Sequence, residues 1–246
     1  GAHRDLPSFP TRRSSDLLVS DLARRLWSPR HSLYAIGALF CTLQFGLMAK
    51  RAQIDMVLVG MTTLALWGLL RHLCERRNVP ALWLAGFAAG LGTVTKGVGF
   101  LPLLMVLPWF GWWLYQHRRG RRIEGPHPAT LLWLIPAFLL GVAVWLAPLG
   151  WALLHEPSAS LQSYAHELLF KQTGTRYANA WHHRQPVWYY LQVILTLWLP
   201  GALLLPALAR PWWRRLRRGD RRQWLLLGWA LLVLVFFSAS PGKREV

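Results

Sequence analysis

Lys96 stands in Gly92-Thr-Val-Thr-Lys96-Gly97, where an ammonium group beside glycine and exposed amide donors can meet a phosphate. A lysine that merely snorkels to a membrane surface would occupy the same setting. Lys171, Arg176, Lys243 and Arg244 extend this into a sparse cationic set suited to a phosphate or diphosphate group. Asp55, in Lys50-Arg-Ala-Gln-Ile-Asp55-Met, is the one acid near the same edge of the first two apolar stretches. It either serves a reaction or pairs with Arg51, four residues away. His182-His183-Arg184-Gln185-Pro186-Val187-Trp188-Tyr189-Tyr190 leads from a polar segment into another apolar stretch. His166 and Glu167 offer further ligands for a divalent metal, although no recognised metal spacing accompanies them.

These groups must be positioned by hydrophobic elements, and the chain supplies seven candidates: 31–49, 54–72, 80–95, 97–116, 129–154, 187–208 and 223–240. A spanning helix needs about 20 mostly apolar residues. Every second gap is rich in arginine: Arg24, Arg25 and Arg30; then Arg71, Arg76 and Arg77; then Arg118, Arg119, Arg121 and Arg122; then Arg210 to Arg222. Short loops rich in Lys and Arg stay in the cytoplasm, so the chemically able residues fall on the external side. The expected fold is all-α, a polytopic transmembrane helix bundle of about seven spans. The longest external segment is 155–186, with a short helix expected over 161–171. Prolines 102, 108, 136, 148, 200 and 206 predict kinks within spans.

The net charge of +18 would suggest nucleic-acid binding in a soluble protein. Here the arginines lie between apolar spans, so orientation and contact with anionic lipid headgroups explain them, and no nucleic acid is expected. Sixteen tryptophans fit the same picture, because indoles favour the membrane–water boundary. Cys41 and Cys74 fall on opposite expected sides, which disfavours a disulfide or a shared metal. Residues 18–27 form a short amphipathic lead-in, with Val19, Leu22 and Leu26 opposed to Asp21, Arg24 and Arg25. Residues 8–17 read as a sequencing adapter translated in one frame. Segment 1–17 is therefore expected to be non-native, and 18–246 an internal fragment of a longer protein.

Gly90-Leu-Gly-Thr-Val-Thr-Lys96-Gly97, His183-Arg-Gln-Pro186-Val-Trp-Tyr-Tyr190 and Phe237-Ser-Ala-Ser-Pro-Gly-Lys243-Arg244 resemble the polyprenyl-phosphate-sugar-dependent membrane glycosyltransferases. That family has the C-type fold and includes lipid A aminoarabinose transferases and protein O-mannosyltransferases. With Asp55 counted, the matching segments run from about residue 55 to 246. The resemblance implies a bacterial inner-membrane enzyme with its active face in the periplasm. It would move a sugar from a polyprenyl-phosphate donor to lipid A, a protein or a glycan. It implies that Lys96 matches the lysine of the family's Thr-Lys-Gly hairpin, Asp55 a supporting acid, and Lys171 or Arg176 a cation facing the donor phosphate. His183, Tyr190, Lys243 and Arg244 join the substrate-binding set. The family's principal catalytic acid is expected in a first external loop upstream of Leu18. The competing expectation is a polytopic transporter or lipid flippase, which would place ionisable groups mid-span along a route.

Overall fold

The computed structural model describes residues 10–42, 55–75, 77–121, 123, 125–155, 158, 163, 165, 186 and 188–239, without the side chains of 10–14, 55 and 56. Among them are nine α-helices: α1 (Pro10–Leu26), α2 (Pro29–Cys41), α3 (Asp55–Cys74), α4 (Val79–Lys96), α5 (Val106–Arg118), α6 (Leu134–His155), α7 (Tyr189–Leu197), α8 (Leu205–Arg218) and α9 (Arg221–Ala239). Tight 3-10 turns at Leu101–Met105, Pro128–Trp133 and Gly201–Leu204 lead into α5, α6 and α8. No strand occurs among the described residues.

The all-α, polytopic expectation holds, and the count of spans is refined. Three helical stretches are long and apolar enough to cross a membrane: Val57–Cys74, Pro128–His155 and Arg221–Ala239. A fourth follows if Tyr189–Leu197 and Gly201–Arg218, bent by 104°, act as one broken span. That bend falls at the kink expected from Pro200 and is sharp enough to divide the span expected over 187–208 into two helices. The break coincides with Pro200, whose ring and missing N–H end the backbone ladder. The span expected over 97–116 begins instead with a turn, and helix α5 starts only at Val106. The span expected over 31–49 is helical to Cys41, and residues 43–54 lie outside the described set. Of the helix expected over 161–171, only Ser163 and Ala165 are described, both helical. Helix α1 begins at Pro10 and runs through Leu17 without a break. Both cysteines are free.

Helix α4 is the axis of the bundle. Its apolarity is diluted by Gly, Thr and Lys96, yet Ala81, Leu82, Ala85, Gly86, Ala88, Ala89, Gly90 and Gly92 are all buried. Small residues serve here because α3 and α6 flank the helix at backbone distance. A Cβ on Gly90 would stand 2.3 Å from the Phe138 carbonyl oxygen and 3.0 Å from the Gly141 Cα. Gly141 meets the Phe87 carbonyl in the reciprocal way, at 2.3 Å. The larger core lies nearer the arginine-rich end, where Leu69, Leu70, Leu73, Leu82, Met105, Trp109 and Leu225 are fully buried.

The arginine-rich gaps converge at that end. Asp21 on α1 binds Arg25 at 2.6 Å and Arg24 at 3.1 Å, and accepts the Trp67 indole N–H from α3 at 2.9 Å. Arg222 donates to the carbonyl of Leu26, the last residue of α1, and Arg221 to that of Cys74, the last of α3, at 2.8 Å. The first two residues of α9 thus satisfy carbonyls that the ends of α1 and α3 leave open. Gly219, left-handed at φ 79°, turns α8 into α9, and its carbonyl accepts from Trp112 at 2.8 Å and Gln116 at 3.2 Å. Buried His72 sets its Nδ1 against the backbone of Asn78, 3.0 Å from the carbonyl oxygen and 3.2 Å from the N, and its Nε2 3.0 Å from Thr130 Oγ1. Thr130 in turn donates to the His127 carbonyl. This chain ties the end of α3 to the turn before α6.

Two measurements test this packing. Gly90→Ala forces backbone apart and should destabilise the chain by about 1–3 kcal/mol. Gly37→Ala, in a helical position with nothing within 4 Å, should stabilise it by about 0.5–1 kcal/mol. Equal thermal midpoints in detergent would refute the close approach. Burial opposes ionisation of Asp21, but hydrogen bonds from Arg25, Trp67 and Arg24 outweigh it and hold the carboxyl below its ordinary value of 3.8. A depressed carboxylate contributes fully above its unfolded value and loses that contribution as pH falls through the folded one. Asp21→Asn should therefore lower stability by about 0.5–1 kcal/mol at pH 7, with the difference closing below pH ~4.

Candidate functional site

At the far end of α4 from the arginines, the chain reverses through Gly97, Val98 and Gly99. Gly97 caps α4 in the left-handed region at φ 73°, and its N–H bonds the Thr93 carbonyl at 2.7 Å. That capping bond corrects the expectation that amide donors around Lys96 are exposed: the Gly97 N–H is engaged within the helix end. The hydroxyls of Thr93 and Thr95 likewise bond back to Ala89 and Leu91 at 2.8 and 2.9 Å. The Lys96 side chain is exposed at the tip. Gly99 packs on the outgoing helix so tightly that a Cβ would stand 2.0 Å from the Gly92 carbonyl carbon.

Three of the sequence-derived segments come together here. Helix α3 runs antiparallel to α4, and Leu58 and Met61 lie within 3.7 and 3.4 Å of where a Gly92 Cβ would sit. The start of α3, at Asp55, is therefore on the Lys96 end; the Asp55 side chain is outside the described residues. Phe100, four residues beyond Lys96, meets Phe236 of α9 edge-on at 5.9 Å, and Phe236 meets Phe237 at 5.5 Å. Tyr190 of α7 reaches Phe237 at 6.0 Å and Tyr189 at 5.3 Å. Edge-to-face contacts at such separations are favourable beyond simple burial. This continuous row of rings joins the Lys96 hairpin, the start of α7 and the end of α9, with the Trp229 indole donating to the Leu101 carbonyl below it at 2.9 Å.

Lys171, Arg176, His183, Lys243, Arg244, His166 and Glu167 lie outside the described residues. Among the described residues no three His, Cys, Asp or Glu side chains gather to hold a metal. Sequence reasoning does not single out Phe100 or Phe236. The only local signal is that each stands within four residues of a motif residue, Lys96 or Phe237. Nor does it single out His72 or Glu75, whose partners are remote in sequence or, for Arg71 and Glu75 at 3.6 Å, within one helix turn.

Residues 14–146 match the family described as dolichyl-phosphate-mannose-protein mannosyltransferase. An undecaprenyl phosphate-alpha-4-amino-4-deoxy-L-arabinose arabinosyl transferase of Pseudomonas aeruginosa is 35% identical over 241 residues, covering 93% of this chain and 40% of that protein. A second such transferase, from Pseudomonas fluorescens, is 32% identical over 243 residues, covering 93% of this chain and 37% of its own length. The chain thus spans about two fifths of the length of these curated relatives. In fold it is similar to the crystal structure of ArnT from Cupriavidus metallidurans bound to undecaprenyl phosphate. The TM-score is 0.72 at 20% identity, over 95% of this chain and 41% of that one.

The hairpin geometry has a measurable consequence. Gly99→Ala, which drives a methyl group into the α4 backbone, should destabilise the chain by about 3 kcal/mol or more. Gly97→Ala meets no atom within 4 Å and should cost only the left-handed backbone strain, about 1–2 kcal/mol. The reverse order of thermal midpoints would show that the hairpin closes differently.

Proposed function

Because the chain belongs to the dolichyl-phosphate-mannose-protein mannosyltransferase family, we propose that it forms the core of a membrane glycosyltransferase that takes a sugar from a polyprenyl-phosphate donor. The carrying observation is the ring row that unites the Lys96 hairpin, Tyr190 and the end of α9 at the opposite end of the bundle from the arginines. The 32–35% identity to undecaprenyl phosphate-aminoarabinose arabinosyl transferases supports an undecaprenyl-phosphate donor, and the motif resemblance to lipid A aminoarabinose transferases favours lipid A as the acceptor over a protein or another glycan. In this reading the protein sits in the bacterial inner membrane with the Lys96 end facing the periplasm, and the arginine-rich end faces the cytoplasm.

Transfer from such a donor breaks the bond between the sugar and the phosphate while an acceptor oxygen attacks. The departing phosphate gains charge, and pre-placed cations stabilise it best where water is sparse. Lys96 provides an exposed ammonium at the tip, and Lys171, Arg176, Lys243 and Arg244 would add to it from neighbouring segments. His183 and Tyr190 would flank the donor at the start of α7. Asp55 would orient the sugar or one of these cations, and an upstream carboxylate would act as the base that accepts the acceptor's proton. His166 and Glu167 would be ligands if a divalent metal takes part. Transport is disfavoured by the distribution of charge. The stretches Val57–Leu70, Leu131–Leu154 and Gln223–Ala239 carry no Asp, Glu, Lys or Arg that could mark a route.

The deciding experiment uses the full-length parent in membrane vesicles with a radiolabelled undecaprenyl-phosphate sugar. Lys96→Ala should reduce transfer by at least about 100-fold with membrane insertion unchanged. Transfer at the parental rate would remove Lys96 from the site. Proton-coupled uptake without transfer would replace the reading with transport.

A further inference from the structure

Helix α9 is held at its foot and again midway before it reaches the Lys96 end. At the foot, Arg221 and Arg222 bond the last carbonyls of α3 and α1. Midway, a Cβ on Gly228 would stand 2.5 Å from the Pro108 Cβ, so α9 meets the first turn of α5 at contact distance. One residue on, the Trp229 indole donates to the Leu101 carbonyl at 2.9 Å. These joints fix the height and the rotation of the helix.

At its far end α9 presents two adjacent rings to two different segments. Successive helical residues point about 100° apart, so neighbouring side chains serve different partners. Phe236 meets Phe100 of the hairpin at 5.9 Å with the rings at 85°. Phe237 meets Tyr190 of α7 at 6.0 Å and 50°. The two α9 rings stand edge to face with each other at 5.5 Å and 80°. Phe100 follows Lys96 by four residues, and the reversal between them is closed by Gly99 against Gly92. Phe100, Phe236 and Phe237 lie outside both buried cores that hold the bundle together. Their contacts therefore govern where the hairpin and α7 stand more than whether the bundle forms.

We infer that Phe236 is a positioning residue, which through Phe100 sets where Lys96 stands relative to Tyr190. The inference rests on the transferase reading, in which Lys96 steadies the departing phosphate. A cation displaced by about 1 Å from the developing charge can lose up to about 100-fold in rate.

The test measures transfer per inserted molecule in vesicles of the full-length parent, with the radiolabelled undecaprenyl-phosphate sugar varied in concentration. Phe236→Leu keeps an apolar side chain but removes the ring edge. It should lower kcat about tenfold while KM for the donor moves less than about twofold. Phe100→Leu breaks the same contact from the hairpin and should do likewise. The double variant should lose no more than about twofold beyond either single change, because both remove one interaction. Phe236→Tyr keeps the ring and should restore kcat to within about twofold of the parent. Val235→Ala, beside it on α9 and 55% exposed, should leave both constants within about twofold. A ring with a structural role alone would lower the amount of inserted protein at unchanged kcat and KM, and that result overturns the inference. So does a double variant whose loss equals the product of the two single losses. Should Phe236→Leu insert poorly, Phe100→Leu decides. Lys96→Ala, assayed in parallel, separates two failures. Lost transfer there with parental kinetics in both ring variants overturns the inference and leaves the transferase reading standing. Parental transfer with Lys96→Ala removes both.

Discussion

The backbone contact between α4 and α6 at Gly90 and Gly141 governs the arrangement of this bundle. No side chain intervenes, so the two helices have no slack with which to slide, and dispersion acts over the whole contact. Because α4 is also enclosed by α3, its outer tip is fixed relative to the first turns of α3, where Asp55 begins the helix. A lysine on a less constrained loop would hold its ammonium anywhere within reach of four methylenes. On this hairpin the Cα of Lys96 has one place, and Gly99 closes the reversal against Gly92 within a few residues.

The two ends of the bundle use different chemistry for the same purpose of joining helices. At the arginine-rich end, Arg221 and Arg222 bond the last carbonyls of α3 and α1. Cations suit the negative ends of helix dipoles, and the bonds satisfy groups that would otherwise need water. At the Lys96 end the joints are rings, from Phe100 through Phe236 and Phe237 to Tyr190. Rings bind segments without consuming donors or charge. At the arginine-rich end, by contrast, the joints engage the charged groups themselves, Asp21 with Arg24 and Arg25, and Arg221 and Arg222 with helix-end carbonyls.

Much of the architecture was legible in the chain. The runs that became α3, α6 and α9 are dense in Leu, Val and Trp, and their boundaries moved by a few residues at most. The placement of arginines on one end follows from their spacing between those runs, and the contacts of Arg121, Arg221 and Arg222 bring the spacing together in space. At 97–116 and 187–208 the apolar runs are continuous in composition, and the chain turns or bends at Gly97, Gly99 and Pro200. The bend at Pro200 was legible from the proline, whereas the late start of α5 at Val106 was not, because composition does not show how many residues a turn takes before the next helix begins.

Of the candidate site, the sequence by itself determined the inventory, namely which cations, acids and rings occupy the gaps between the apolar runs and outside the arginine clusters; of these the structure describes the side chains of Lys96 and Tyr190. It also determined the family, through three short motifs whose order is retained. Only the tertiary structure decided that the motifs at Lys96, Tyr190 and Phe237 adjoin, because the rings that join them, Phe100 with Phe236 and Tyr190 with Phe237, come from segments remote in the chain. It also decided that the α8–α9 turn is enclosed by α1, α3 and α5. Helix periodicity encodes which face is apolar but not which helix will cover it; that choice falls to the few positions where backbones can touch.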